Sequence, residues 1–310
     1  MHPYASAEYA AAFQPLQSVY LPNARTHLLE RSVPGSSQID LMGCYPLCVL
    51  DSNPALANDL SELAAGEYLS MVMVTDCLTQ PSEAFLRAHF ETCRSYKTHF
   101  VHDARLPNST YSKHHRDRVR LARRTCETRV VELGDYISEW MACYETLVQK
   151  KNITGIQNFS RTYFEAVAAL PSATTVAAFV DGQFVSAHIW IRHDTSVYAH
   201  LAASTPLGYK VRAAFAIYDH AIELFRESGV IDFGGGAGVE AGKVDGLADF
   251  KKGFANDEKR NFLCGKVLNH AAYGALCAER GIDPQANFFP AYRDPRAFSS
   301  NSSGQSDARA

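Results

Sequence analysis

The stretch Val230-Ile231-Asp232-Phe233-Gly234-Gly235-Gly236, followed further on by Phe250-Lys251-Lys252-Gly253-Phe254, decides how this chain is read. A short apolar strand running into three glycines lets a backbone come close to a ligand, because no Cβ stands in the way and positive φ is open. A lysine pair between two phenylalanines can sit over that gap, with the rings anchored in a core and the ammonium groups turned toward an anion. The combination points to a site rather than a turn. Two nucleotide motifs come close and fail. Gly236-Ala237-Gly238-Val239-Glu240-Ala241 nearly spells the dinucleotide fingerprint, but Gly242, Asp245 and Gly246 make a poor helix start and no strand-helix-strand repeat follows. A phosphate loop fails at both ends, with Ala237 in place of the first glycine and Val244 in place of the hydroxyl.

Around this stretch the second half of the chain alternates predicted strands and helices. A helix at Ser160 to Leu170, capped by Ser160, is followed by strands at Thr174–Val180, Gln183–Ile191 and Ser196–Ala203, with Asp181-Gly182 as a hairpin signal. Ala214, Ile217, Tyr218, Ala221, Leu224 and Phe225 then form the apolar face of a helix over Arg212 to Ser228, ended by Gly229. The strand Val230–Phe233, a short helix Leu247–Phe254, a strand Asn261–Leu268 and a helix Ala271–Glu279 complete it.

The first half has predicted strands at Gln38–Leu50, Tyr68–Thr75 and Lys97–His102, with a helical stretch after Pro81. A basic helix Tyr111–Cys126, capped from Asn108-Ser109-Thr110, leads to a strand Thr128–Leu133 and a helix Asp135–Lys151. Both halves read as mixed α/β with antiparallel strands and similar length. The expected organisation is a domain over 1–152, a second over 153–284 carrying the site, and an extended or disordered tail over 285–310.

Composition limits the possible classes. The chain has 310 residues, 46% hydrophobic and 20% charged, enough for a sizeable core. A formal charge of −3 argues against a surface that binds nucleic acid throughout, though not against a local basic patch. The eight cysteines are scattered without CxxC spacing, which implies buried, reduced thiols and no zinc site. No apolar run is long enough to span a bilayer and the N-terminus lacks a signal-peptide layout, so a cytoplasmic protein is expected.

Three strands, a loop, a long helix and a strand ending at glycines is the element order of the GNAT acyltransferase core. Tyr198-Ala199-His200-Leu201-Ala202-Ala203-Ser204, the long helix, Asp232 to Gly236, and Gly246-Leu247-Ala248-Asp249-Phe250-Lys251-Lys252-Gly253-Phe254 together resemble the C-terminal domain of FemABX-like aminoacyltransferases and the related BioF2-like acetyltransferases. The resemblance covers residues 105 to 268 well. It implies two tandem GNAT-like domains and acyl transfer to an amine, with aminoacyl-tRNA or acyl-CoA as co-substrate and no tightly bound cofactor or metal. It also places Lys251 facing the reacting centre. The long helical hairpin of some tRNA-binding members is missing here.

The residues support that chemistry on their own terms. Transfer to an amine passes through a tetrahedral oxyanion, which a fixed donor in a low-dielectric cleft stabilises better than water. Lys251, held between Phe250 and Phe254, could do so or bind a terminal phosphate, unless the Lys251-Lys252 pair is simply solvated. Donor binding is expected from Gly234, Gly235, Gly236 and Lys252, with Gly235 bordering the acyl channel. Ser204, Gly208, Lys210 and Arg212 at the start of the long helix form a second anion-binding candidate, or a plain strand-to-helix turn. Lys113, Arg116, Arg120 and Arg123 share one face of the basic helix and are expected, with Asp232, on the acceptor side. His188 and His200 on neighbouring strands are alternative general bases, with Tyr198 in the same cleft. No GxSxG elbow is present, so hydrolase chemistry has no support. The reading is an N-acyltransferase with aminoacyl-tRNA slightly favoured over acyl-CoA as donor. The rival from another class is a non-catalytic protein that uses the same fold to hold an anionic ligand.

Overall fold

The computed structural model describes residues 1–106, 111–237 and 245–295. The strands among them are β1 Ser18–Leu21, β2 Thr26–Ser32, β3 Ile39–Gly43, β4 Tyr68–Val74, β5 Thr92–Asp103, β6 Glu127–Val131, β7 Ala173–Val180, β8 Gln183–His193, β9 Ser196–Ser204, β10 Val230–Asp232 and β11 Asp257–Val267. The helices are α1 Ala7–Ala11, α2 Leu56–Ala65, α3 Glu83–His89, α4 Lys113–Arg123, α5 Ile137–Lys151, α6 Arg161–Ala168, α7 Pro206–Lys210, α8 Ala213–Leu224, α9 Gly246–Lys252 and α10 His270–Glu279. The fold is mixed α/β with mostly antiparallel strands flanked by helices, as the sequence implied. Two compact units form, one of Met1–Gln14 with Tyr96–Asn261, the other of Pro15–Ser95 with Phe262–Ala310.

In the unit built on Tyr96–Asn261 the strand order is β6-β7-β8-β9-β10-β5. Every pairing given in it is antiparallel except β9 with β10, which run parallel. The β7–β8 turn uses Asp181 at φ 49° and Gly182 at φ 79°, the doubly left-handed geometry that tight hairpins require. Helix α8 lays Ala213, Ile217, Tyr218 and Ala221 on a core with Trp190, Val197 and Ile231. It is shorter than its apolar pattern: a 3-10 turn takes over at Arg226–Ser228 and Gly229, at φ 94°, turns the chain into β10. The expected cap of the basic helix, Asn108-Ser109-Thr110, lies outside the described residues, and Ser112 caps α4 by accepting the His115 N–H.

The boundary expected at residue 152 falls inside this unit. Helix α5 packs on β9 and α6, and the first residues of the chain pack there too. Tyr4 and Tyr9 are buried; the Tyr4 hydroxyl meets His200 Nδ1 at 3.1 Å and the Tyr9 hydroxyl meets that of Tyr163 at 3.1 Å. Contacts so distant in sequence carry no local periodicity, so the pattern could not show them.

The other unit orders its strands β1-β2-β3-β4-β11, with β3 and β4 parallel. Leu28, Leu41, Leu60, Met71 and Cys264 lie in its core. Helix α2 and the β1–β2 hairpin went unread in the sequence, although Leu56, Leu60 and Leu63 recur at helical spacing. All eight cysteines are buried, and none is in a disulfide.

The expectation of an extended tail from residue 285 is corrected as far as residue 295. Ala291 and Tyr292 are fully buried in a cluster with Val33, Leu69 and Tyr273. Asp40, also fully buried, holds the segment: its Oδ2 accepts from the Tyr292 hydroxyl at 2.8 Å and from Arg293 Nε at 2.5 Å, and its Oδ1 from Arg31 Nε at 3.0 Å. The anchors are single polar residues far apart in the chain, which composition does not reveal. Arg293→Ala leaves that carboxylate short of a partner and is expected to cost about 3 kcal/mol, measured as a lower midpoint of urea unfolding.

Candidate active site

The glycine turn and the short helix meet as the sequence implied. Asp245 opens α9 by accepting the N–H groups of Leu247 and Ala248. Phe254 is buried and Phe250 packs beside it, their rings against Phe215 and Tyr218 of α8. His115 of α4 ties the same helix from outside: its Nε2 lies 2.9 Å from the Phe250 carbonyl oxygen, and a Cβ on Gly253 would strike its ring. Burying Phe254 stabilises by roughly 2 kcal/mol, and Phe250 is half-buried beside it. That leaves the direction of Lys251, between them in sequence, firmly set.

Lys251 Nζ donates to the Gly235 carbonyl at 2.7 Å. Gly234 has φ 78°, and a Cβ there would stand 3.1 Å from the same Nζ, so glycine meets both the backbone and the space requirement. Burial pushes the Lys251 ammonium down to about 8, with Asp232 and Asp245 pulling it back up and Lys97 adding to the fall. Lys97 reaches the next carbonyl, Gly236 O, at 3.3 Å and is itself lowered by burial. Two ammonium groups therefore lie along the glycine turn on carbonyl oxygens.

The counter-charge is Asp232 at the end of β10. Its Oδ1 accepts the Gly234 N–H at 2.7 Å and its Oδ2 lies 2.8 Å from His99 Nδ1. Burial alone would raise this carboxyl, but His99, the Gly234 N–H and Lys251 outweigh it and hold it below its usual range. His99, on β5, was not singled out from the sequence. Asn261 Oδ1 accepts the Lys97 N–H at 2.9 Å, which turns its Nδ2 toward His99 Nε2 at 3.0 Å. Nε2 is then the acceptor and Nδ1–H donates to the ionised Asp232. An Asn261–His99–Asp232 chain thus fixes the carboxylate that faces Lys251. A lone histidine in a strand gives no sequence signal for this.

His188 lies on the α8 side of β8, its ring 5.2 Å from that of Tyr218. Burial, with Lys251 adding to it, holds it neutral with a value lowered to about 3, and its buried Nδ1 has no hydrogen-bond partner among the described residues. A group so weakly basic cannot take a proton from an ammonium.

Several expected site residues lie elsewhere. Val197 and Ala199 face the α8 core, so by strand alternation Tyr198 and His200 face away from Lys251. Both His200 nitrogens meet tyrosines, Tyr4 at Nδ1 and Tyr163 at Nε2, 2.9 Å. Tyr198 packs on His2 and Tyr4. Lys252 points to solvent, 3.6 Å from Glu258. A Cβ on Gly235 would meet the Lys97 side chain and Thr98 O at 3.1 Å, so this glycine admits β5 rather than an acyl channel. A Cβ on Gly236 would meet Asp245, and one on Gly208 the Val185 carbonyl.

Within Ser204 to Arg212 the residues Pro206–Lys210 form a short helix. Ser204 is buried, its hydroxyl 2.8 Å from that of Ser186, and Arg212 sits left-handed at φ 61° before α8. Lys210 ends α7. Arg116, Arg120 and Arg123 do line a cleft together, one bordered by α4 and α8, but neither Lys113 nor Asp232 is part of it. Asp232 belongs instead with Lys251.

Residues 109–252 match the family model described as an acetyltransferase (GNAT) domain. Among curated proteins none matches the sequence. Solved structures share the fold at low identity. FemX is 13% identical with a TM-score of 0.65, over 88% of this chain and 95% of that one. L-PGS from Bacillus licheniformis is 13% identical with a TM-score of 0.60, over 86% and 88%. A C-terminal domain from Agrobacterium fabrum, assigned to a lysylphosphatidylglycerol synthetase, is 12% identical with a TM-score of 0.60, over 89% and 90%. Among the described residues no helix is long and apolar enough to cross a membrane.

Proposed function

We propose that this chain is an N-acyltransferase that moves an activated aminoacyl or acyl group onto an amine, with aminoacyl-tRNA the favoured donor and acyl-CoA the alternative. The observation that carries this reading is a buried ammonium, Lys251, fixed by its bond to Gly235 O beside an ionised Asp232. The amine nitrogen attacks the acyl carbonyl carbon and a C–N bond forms. The carbonyl electrons move onto oxygen, and Lys251 offers its remaining N–H groups to that charge. When the oxyanion collapses, the bond to the tRNA oxygen or the thioester sulfur breaks, and the proton lost by the amine goes to solvent or to the leaving group. No covalent enzyme intermediate is required.

The choice of donor rests on the spacing of the triple glycine and the Phe-Lys-Lys-Gly-Phe helix, which resembles Fem-type enzymes. A neighbour of like fold is named for lysylphosphatidylglycerol, which carries a lysyl group. The test offers the protein aminoacyl-tRNA and acetyl-CoA separately, each with a panel of primary amines, and follows product by mass. A donor at a hundred times its Kd should also raise stability by about 2.7 kcal/mol. Protection and turnover with aminoacyl-tRNA are expected. Turnover with acetyl-CoA alone would replace the donor, and turnover with neither would overturn the assignment.

A further inference from the structure

The cleft between α4 and α8 has a volume of about 670 Å³ and is separate from the glycine turn. Five guanidinium groups line it, from Arg116, Arg120, Arg123, Arg124 and Arg226, against two carboxylates, Asp219 and Glu223. This concentration of positive charge occurs in a chain whose formal net charge is −3. We infer that the cleft binds the phosphate backbone of an RNA strand and so holds the donor at a distance from the acyl-transfer centre. The inference rests on the aminoacyl-tRNA reading above.

The two carboxylates are already engaged. Asp219 takes an ion pair from Arg123 and a hydrogen bond from Tyr111, and Glu223 lies 3.4 Å from Arg226. Arg124 forms no ion pair among the described residues, and the Arg120–Asp117 contact, at 3.4 Å with side chains 69% and 57% exposed, is of the kind that contributes little. Arg116 spends one N–H on the Tyr111 carbonyl at 2.6 Å. Their remaining donors are open to a ligand.

The geometry favours a chain of phosphates over a single one. Residues 116, 120 and 124 recur every four positions, so they form one row with steps of about 6 Å along the helix. Successive phosphates of a nucleic-acid strand are similarly spaced, and each guanidinium can grip one bidentately. A free nucleotide would reach only part of the row. An anionic membrane would need these groups on a projecting face, whereas here α8 forms the second wall of a concavity.

Fluorescence anisotropy with a labelled RNA hairpin that ends in a single strand, run against free ATP and against phosphatidylglycerol vesicles, tests this. Three phosphate contacts give a log affinity against log salt slope of about −2. Arg120→Glu and Arg124→Glu should each weaken binding on the order of tenfold at low salt and reduce the slope by about one. Lys251→Ala should bind RNA like the wild type. Arginine variants with unchanged RNA affinity, ATP competing as well as RNA, or binding to vesicles alone would each overturn the inference. If aminoacyl-tRNA turnover survives Arg120→Glu unchanged, this site falls and the acyltransferase reading stands. If acetyl-CoA alone supports turnover while the arginine variants lose RNA, the donor reading falls instead.

Discussion

Lys251→Ala is expected to lower kcat by about 10²–10³-fold while KM for the donor stays within a few fold. The ammonium acts on charge that develops during the reaction, so its loss belongs to kcat rather than to binding. The pH profile gives an independent check. Because burial has brought Lys251 to about 8, the active ammonium is lost as pH rises through that value, and kcat should fall there in the wild type. The same limb should be absent from Lys251→Ala. A rate that instead rises through pH 8 and loses that rise on substitution would make Lys251 a neutral general base. Stability carries the opposite sign. The folded protein holds this proton less tightly than the unfolded chain, whose lysine titrates at the ordinary value of 10.5. The penalty for the buried charge is therefore complete below about pH 8 and disappears as pH approaches 10.5. Lys251→Met should accordingly be more stable than the wild type at neutral pH, on the order of 3 kcal/mol, with the gap closing as the solution is made alkaline.

The part of the fold that the sequence disclosed is the part built from contiguous pattern. Asp181-Gly182 marked its hairpin, the apolar face from Ala214 to Phe225 marked α8, and the glycines after β10 marked the turn where Lys251 now sits. What it concealed depends on partners far apart in the chain. His99 becomes a member of the site only because β5 pairs with β10, a register set between residues 101–103 and 230–232. Tyr198 and His200 have the right residue types, but the N-terminal tyrosines Tyr4 and Tyr9 cover that side of β9. Gly235 illustrates a third case: a glycine before a catalytic motif reads as room for substrate, and here it makes room for Lys97 and Thr98 of β5. The basic row of α4 was legible from spacing alone, whereas its separation from Asp232 was not, since that depends on where α4 packs against α8.

Asp232→Asn is expected to lower kcat at neutral pH by about tenfold or more and to move its alkaline limb well below pH 8. Asp232 is the strongest of the influences that raise Lys251 against burial, so removing its charge leaves an ammonium with less to hold its proton. The substitution keeps the shape and most of the hydrogen bonding. An asparagine oxygen can still accept from either His99 Nδ1–H or the Gly234 N–H, though no longer from both, because its amide end is a donor. His99 cannot adapt by moving its proton, since Asn261 Nδ2 already donates to Nε2. One lost acceptor in a buried site costs about 1–3 kcal/mol, too little to unfold an ordinary domain. Circular dichroism should therefore show a folded protein while the pH profile shifts. A structural role for Asp232 would lower the yield of folded enzyme and leave the limb near pH 8. A charge-holding role moves the limb itself, and adding Lys251→Ala to Asp232→Asn should then cost little more in kcat than Lys251→Ala alone, because both substitutions remove the same ammonium. Full additivity of the two losses would show that Asp232 acts on something other than Lys251.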